Sequence, residues 1–308
     1  MRQSTLIFAL CAWAAGANAQ AADCRLRPGE TPATGRAGLC NFAPGSKSFD
    51  GSAAQQVTCL TRAVKMGGVI GDKTAPAHLQ EIVGTASIPL SAVEGYLTRL
   101  GLKAADLGGD IHRPITADYF IIHDTSSPNC SEKGVSHSLC PQQGEFPPNR
   151  DDITWPVNKS FDGHPKAAPH RLAHAFTNRV GGSVTEVDFA LPIVTTKFEQ
   201  CSDARSKAGL FVGVENIQPR TGKPAIPSPG KMPNDLVGPS PGFPPKQYER
   251  LALLYVIASA RRGHWLIPAF HAVLDQQYAD GHDDPQNFDI DMFDTAISEH
   301  VRLISSPP

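Results

Sequence analysis

Three side chains stand out for the chemistry they can do together. His123 ends the apolar run Tyr119-Phe120-Ile121-Ile122, His271 closes a second such run, and Asp284 sits in His282-Asp283-Asp284-Pro285. Two imidazoles and a carboxylate make the ligand set of a catalytic zinc, which takes three protein ligands and leaves the fourth tetrahedral position for water. The metal acidifies that water to a pKa of about 7. These residue types therefore raise the expectation of a zinc-dependent hydrolase. A single histidine among the chain's 11 is more often packed or solvated than a ligand, so the case depends on the elements that position the three.

Those elements are legible downstream of Ala117, where short apolar runs alternate with turns. The spacing predicts strands over 118–123 and 265–271, which puts both histidines at the C-terminal ends of strands, a rigid mounting suited to a metal site. Ala173 to Asn178 and Ser183 to Phe189 flank Arg179-Val180-Gly181-Gly182, a strand-turn-strand pattern with glycines where positive φ is required. Leu210 to Glu215 reads as another buried strand. Pro219 to Pro245 holds nine of the 27 prolines, which excludes a regular helix or central strand and predicts a surface loop. Tyr248 to Arg262 is an expected amphipathic helix with Leu251, Leu254, Tyr255 and Ala258 on one face and Gly263 ending it. A last helix is expected over Asp291 to Leu303.

Upstream the signals are helical. Ser52 can cap a helix reaching Lys65 with Val57, Leu60 and Val64 on one face. Pro76 to Val83 predicts a short helix, and Ser91 to Leu100 another, with Val93, Tyr96, Leu97 and Leu100 inward and Gly101 ending it. Gln20 to Ser48 is rich in Gly, Pro, Ala and Cys and reads as an irregular segment tied by disulfides. At the start, Met1-Arg2, the apolar stretch Leu6 to Ala15 and Gly16-Ala17-Asn18-Ala19 have the form of a secretory signal peptide cleaved after Ala19. The stretch is too short to span a bilayer, which needs about 20 residues. No other segment qualifies as transmembrane. Neither Cys11 nor Cys24 follows the small residue that lipid attachment needs. The expected organisation is a signal peptide (1–19), an irregular and helical N-terminal region (20–110) and a domain carrying the site (111–308), in a secreted or periplasmic protein.

Export would place Cys24, Cys40, Cys59, Cys130, Cys140 and Cys201 in an oxidising compartment, where an even count predicts disulfides. Six cysteines allow about 15 pairings, of which only Cys130 with Cys140 is suggested locally. No Cys-x-x-Cys pair supports a thiolate zinc site. A chain of 308 residues, 41% hydrophobic, can bury a sizeable core, and a formal charge of -2 gives no support to nucleic-acid binding.

Taken in order, these segments resemble the type 2 N-acetylmuramoyl-L-alanine amidase family, whose fold is shared by the peptidoglycan recognition proteins and a phage lysozyme. The resemblance runs from about Ile115 to Leu303. Tyr-Phe-Ile-Ile-His123-Asp-Thr-Ser-Ser is similar to the family's opening strand with the first ligand, and Ala173-His174-Ala-Phe-Thr-Asn-Arg-Val-Gly-Gly-Ser-Val to the hairpin that follows. Val212-Gly213-Val214-Glu215-Asn216 resembles the strand carrying an acidic residue, Ile267-Pro-Ala-Phe-His271 the approach to the second ligand, and His282-Asp-Asp284-Pro-Gln-Asn-Phe288-Asp289 the closing segment. Each motif is weak alone; their agreement in sequence is what makes the assignment specific. His282 competes with His271 as the second ligand, but family members place that histidine on a strand end well before the Asp-Pro pair, which favours His271.

The resemblance implies an α/β (α+β) fold, a central mixed β-sheet flanked by helices, and hydrolysis of the amide joining the lactyl group of N-acetylmuramic acid to L-alanine. Peptidoglycan or its muropeptides would be the partner. It also implies zinc held by His123, His271 and Asp284, Glu215 as the proton acceptor and donor, and His282, if protonated, as donor to the oxyanion. His174, Thr125 and Ser126 become candidate substrate contacts, and Asp124 a candidate partner orienting His123. Departures are clear: Ile193-Val-Thr-Thr-Lys-Phe198-Glu199 stands where many members have Trp-His-Ala-Gly, Gln286 replaces a common glycine, and Thr125 to Ala167 is long and polar. Competing readings are a non-catalytic peptidoglycan-binding protein of the same fold and a zinc amide hydrolase with another substrate. No motif in the N-terminal region selects among wall binding, gating the cleft and contact with a secretion or immunity partner.

Overall fold

The computed structural model describes residues 24–26, 36–37, 40–43, 45–62, 64–65, 69–70, 74–126, 173–202, 209–219, 238, 241–279 and 281–306. The expected signal peptide, the Cys130 and Cys140 pair, most of the proline-rich segment and most of the polar stretch after Thr125 lie outside them.

Short strands β1 (Arg36–Ala37), β2 (Cys40–Ala43) and β3 (Ser48–Phe49) form an antiparallel ribbon that leads into helix α1 (Ala53–Leu60). Ser52 caps α1 in a capping box with Gln55. The helix stops well short of Lys65: Thr61, its C-cap, still bonds back to the Val57 carbonyl (3.0 Å) but leaves helical geometry at φ -108° and ψ 25°. Val64–Lys65 instead forms β4, paired with β5 (Val69–Ile70), where a β-branched residue is better accommodated. Helices α2 (Ala77–Ile82) and α3 (Leu90–Leu100) form where expected, α3 ending on Gly101 in the left-handed conformation. Val93, Tyr96 and Leu97 are inward, but Leu100, expected beside them, is 51% exposed where the chain turns away at Gly101.

The central sheet combines β6 (Tyr119–Asp124), β7 (Ala175–Thr177), β8 (Ser183–Thr185), β9 (Phe211–Asn216) and β10 (Ile267–Phe270). Helix α4 (Lys197–Cys201) lies between β8 and β9, α5 (Pro245–Arg262) between β9 and β10, α6 (His271–Leu274) directly after β10, and α7 (Ile290–Ser305) at the end. The strand order is β10-β6-β9-β7-β8, with the first four parallel and β8 returning antiparallel beside β7. This is the mixed sheet flanked by helices that the sequence predicts. Every residue of β6 is buried, as expected for a strand covered on both faces.

Alternation along β6 divides those faces. Tyr119 meets Phe49 edge-on and stacks on Phe211, and Phe211 meets Phe198 of α4, whereas Phe120 meets Tyr255 of α5, which meets Phe293 of α7. His123 and Glu215 share parity with Tyr119 and Phe211, so they project to the α4 side. Gly213 permits the close approach of that layer, since a Cβ there would lie 2.7 Å from Thr195 Oγ1.

The N-terminal region shares this core rather than forming a separate globule among the described residues. The Tyr119 hydroxyl donates to Gln56 Oε1 (2.8 Å) and accepts from Phe49 N–H (3.0 Å), and Trp265 exchanges backbone hydrogen bonds with Gly84 and Thr85. Disulfides join Cys24 to Cys201 and Cys40 to Cys59. Among the described residues no helix is long and apolar enough to cross a membrane.

Candidate metal centre

Register places the site. Ile122 of β6 pairs with Phe270 of β10 and with Val214 of β9, so the next row across the sheet is His271, His123 and Glu215. All three stand at the carboxyl ends of parallel strands, where ligands of open α/β sheets are bound. The third metal-ligand candidate arrives on a return segment: the Ala272 N–H donates to the Asp284 carbonyl (2.8 Å), and the Asp284 carboxylate accepts from Asp124 N–H (3.1 Å).

His123, His271 and Asp284 thereby form a buried group able to hold a metal ion. His123 Nδ1 lies 3.0 Å from His271 Nδ1 and 3.7 Å from Asp284 Oδ2, and His271 Nδ1 lies 2.9 Å from Asp284 Oδ1. Ligand atoms on a tetrahedral ion with bonds of 2.0–2.1 Å are separated by about 3.3 Å, which these three edges bracket. Two ring nitrogens facing each other this closely require a proton or a cation between them. The residues present fit a metal ion.

The electrostatics agree. Burial, then the charge on His271, push His123 down to about 3, so its imidazole is neutral. Burial opposes a charge on His271, but the carboxylates of Asp284 and Asp275 outweigh it and hold that imidazole well above its ordinary value. Burial likewise opposes ionisation of Asp284, yet His271 and His123 hold it well below the usual carboxylate range. The surroundings thereby favour an imidazolium at His271 beside a carboxylate at Asp284.

Asp275 is the functional residue that sequence reasoning missed. Its fully buried carboxylate meets His271 Nε2 at 2.8 Å, which fixes the ring and leaves Nδ1 for the centre, and it also accepts from Lys197 N–H (3.1 Å) and Phe198 N–H (2.8 Å). The available signal was the spacing of His271 and Asp275 at i and i+4, which matters only because α6 starts at His271. Carboxylates behind metal-bound histidines typically contribute 10–100-fold to affinity. Asp275→Ala is expected to weaken metal binding by about that factor, read by competition with a chromophoric chelator.

Glu215 stands beside His123 with Oε2 buried and unpartnered among the described residues. Burial, then the negative charge of Asp284, raise its pKa well above the ordinary value. His282 lies at the rim, 30% exposed, with Nδ1 3.8 Å from Asp284 Oδ1 and its ring 5.1 Å from that of His271. The closer approach of His271 to Asp284 puts His271, rather than His282, in the three-ligand group. Burial, then the charge on His271, lower the His282 pKa, which favours its neutral form.

The remaining candidates are brought elsewhere or given other work. His174 is 1% exposed and both ring nitrogens are used: Nδ1 accepts from Gly213 N–H (3.1 Å) and Nε2 meets the Leu191 carbonyl (3.0 Å). It ties the hairpin to β9 and to the Leu191 carbonyl, which leaves neither nitrogen for a substrate. The Thr125 hydroxyl accepts from Gln218 N–H (3.1 Å), and Ser126 donates from N and Oγ to Asp124 Oδ1 (both 2.8 Å), so these two brace the turn after β6. Asp124 does not orient His123, whose Nε2 is unpartnered among the described residues. Its Oδ2 accepts instead from Gln286 N–H (2.8 Å), fastening the Asp284 segment to β6. Gln286, the departure from glycine, uses its side chain to accept from Gly238 N–H (2.7 Å) and donate to Asp283 (2.8 Å). Compared with protein-family models, curated proteins and solved structures, the chain matches none.

Proposed function

We propose that this chain is an exported zinc-dependent amidase that hydrolyses the lactyl–L-alanine amide of peptidoglycan. The observation that carries the reading is the convergence of His123, His271 and Asp284 on one point at the sheet edge, with the buried Glu215 Oε2, unpartnered among the described residues, in the same row. Two nitrogens and one oxygen at these separations suit zinc, and three protein ligands are the number a catalytic site uses. The peptidoglycan substrate is supported by the ordered resemblance of the segments to the amidase family. Export is supported by the N-terminal leader pattern and the disulfides.

Bound zinc would supply Lewis acidity, polarising the scissile carbonyl and acidifying water. The chain's own residues do the rest. His271, locked by Asp275, and Asp284, locked by Asp124, keep the centre's geometry fixed during turnover. Glu215 takes the proton of the attacking water and returns it to the departing alanine nitrogen as the carbon–nitrogen bond breaks. His282 donates its N–H to the oxyanion of the substrate, a contribution of about 3 kcal/mol in comparable sites.

The reading predicts release of free L-alanine amino termini from purified sacculi. Sedimentation with sacculi without release would favour a binding module, and a different product by mass spectrometry would favour another amide. Because Asp284 and Asp275 favour a protonated His271, zinc uptake near neutral pH is expected to release about one proton per chain. Calorimetry in buffers of different ionisation enthalpy measures this.

A further inference from the structure

Asp275, which fixes His271, is itself held between two elements that one short N-terminal segment fastens together. On one side is α4, whose first two N–H groups, from Lys197 and Phe198, donate to the Asp275 carboxylate. A helix of five residues has no stability of its own. Its seat depends on Phe198, wholly buried against Phe42 and Phe211, and on whatever ties its far end. That far end is Cys201, bonded to Cys24. On the other side, the same segment grips the chain just after Asp275: Leu26 bridges Tyr278, and Ala279 N–H donates to the Arg25 carbonyl at 2.8 Å. Cys24 to Leu26 thus holds α4 covalently and the 275–279 stretch by backbone pairing. Cys24 is exposed and Cys201 half-buried, which leaves the bond open to thiol exchange.

We propose that this clasp is part of the metal centre: the Cys24–Cys201 disulfide seats α4 against Asp275, fixes His271 and so sets metal affinity, making the centre fully competent only in the oxidised chain. The proposal rests on the metal reading above and adds its redox dependence. The bond forms by exchange with a disulfide of an oxidising partner: the sulfur–sulfur bond between Cys24 and Cys201 forms as the partner's breaks. Two electrons and two protons pass from the two thiols to the partner, which leaves as a dithiol. A reducing compartment drives the reverse and leaves the centre loose.

The test uses full-length oxidised protein, Cys24→Ser and Cys201→Ser made separately, and Cys40→Ser/Cys59→Ser as a control that opens the Cys40–Cys59 disulfide. Circular dichroism checks that each folds. Zinc affinity is measured by chelator competition, and hydrogen exchange at the Lys197 and Phe198 amides is measured in the metal-free proteins. Opening the Cys24–Cys201 bond is expected to weaken zinc binding at least about tenfold, up to the roughly 100-fold ceiling set by loss of Asp275, and to speed exchange at both amides. The control is expected to retain its affinity. On an Asp275→Ala background, Cys24→Ser is expected to have no further effect, because both changes break one path. Zinc affinity and amide protection unchanged in Cys24→Ser would overturn the clasp alone, as would an equal loss of affinity in the control. If Cys24→Ser does not fold, the same measurements on Cys201→Ser decide. A wild-type chain that binds no zinc would overturn the metal reading, and the clasp with it.

Discussion

Asp284→Ala is expected to lose metal and hydrolysis together. Asp284 supplies the charge that balances the centre, meets His271 Nδ1 at 2.9 Å, and is held by the Asp124 N–H. Removing it takes away one of three protein ligands and leaves two imidazoles with no carboxylate between them. The loss of zinc affinity is expected to exceed the 10–100-fold typical of supporting partners, about 100-fold being the lower bound. Asp284→Asn keeps the shape and the acceptor for Asp124 N–H but not the charge, and is expected to fold as the parent does while binding zinc poorly. Zinc content by mass spectrometry and sacculus digestion, measured on the same samples, check both. Full zinc content in Asp284→Ala would remove this residue from the ligand set.

Glu215→Gln is expected to separate binding from chemistry. Its carboxyl sits one strand away from His123 in the same row and coordinates nothing in the three-ligand group. Zinc affinity should therefore survive while turnover falls by about 10²–10⁴-fold, the usual contribution of a positioned acid–base residue. The variant also reports on the environment that makes Glu215 useful. Burial, then Asp284, hold its pKa well above the ordinary value in the metal-free chain. A raised folded-state pKa gives a contribution to stability that is complete below the unfolded value of about 4.3 and is lost as pH rises through the folded value. Glutamine has no such loss, so metal-free Glu215→Gln should equal the parent below that range and exceed it at neutral pH in chemical denaturation. Equal stability at neutral pH would mean that the carboxyl is solvated and unsuited to its assigned role.

The two segments that carry the histidine ligands were legible because their apolar runs are short and continuous, a pattern that suits a strand buried on both faces, and both runs end in histidine. Capping chemistry marked Ser52, Gly101 and Gly263 in the same way. The length of α1 was not legible, since Val57, Leu60 and Val64 keep helical spacing across Thr61, where the backbone leaves the helix. Asp275 was hidden because its partnership with His271 exists only once β10 passes directly into α6. His174 occupies the expected hairpin position, but tertiary packing uses both of its nitrogens for backbone. The Cys24–Cys201 pair, 177 positions apart, could not be chosen from cysteine arithmetic, because nothing local brings those two thiols together.

The central claim is one ion at one point. A crystal grown with zinc and measured across the zinc absorption edge is predicted to show a strong anomalous peak about 2.0–2.2 Å from His123 Nδ1, His271 Nδ1 and a carboxylate oxygen of Asp284. No peak there, or a peak held by other side chains, would contradict the account.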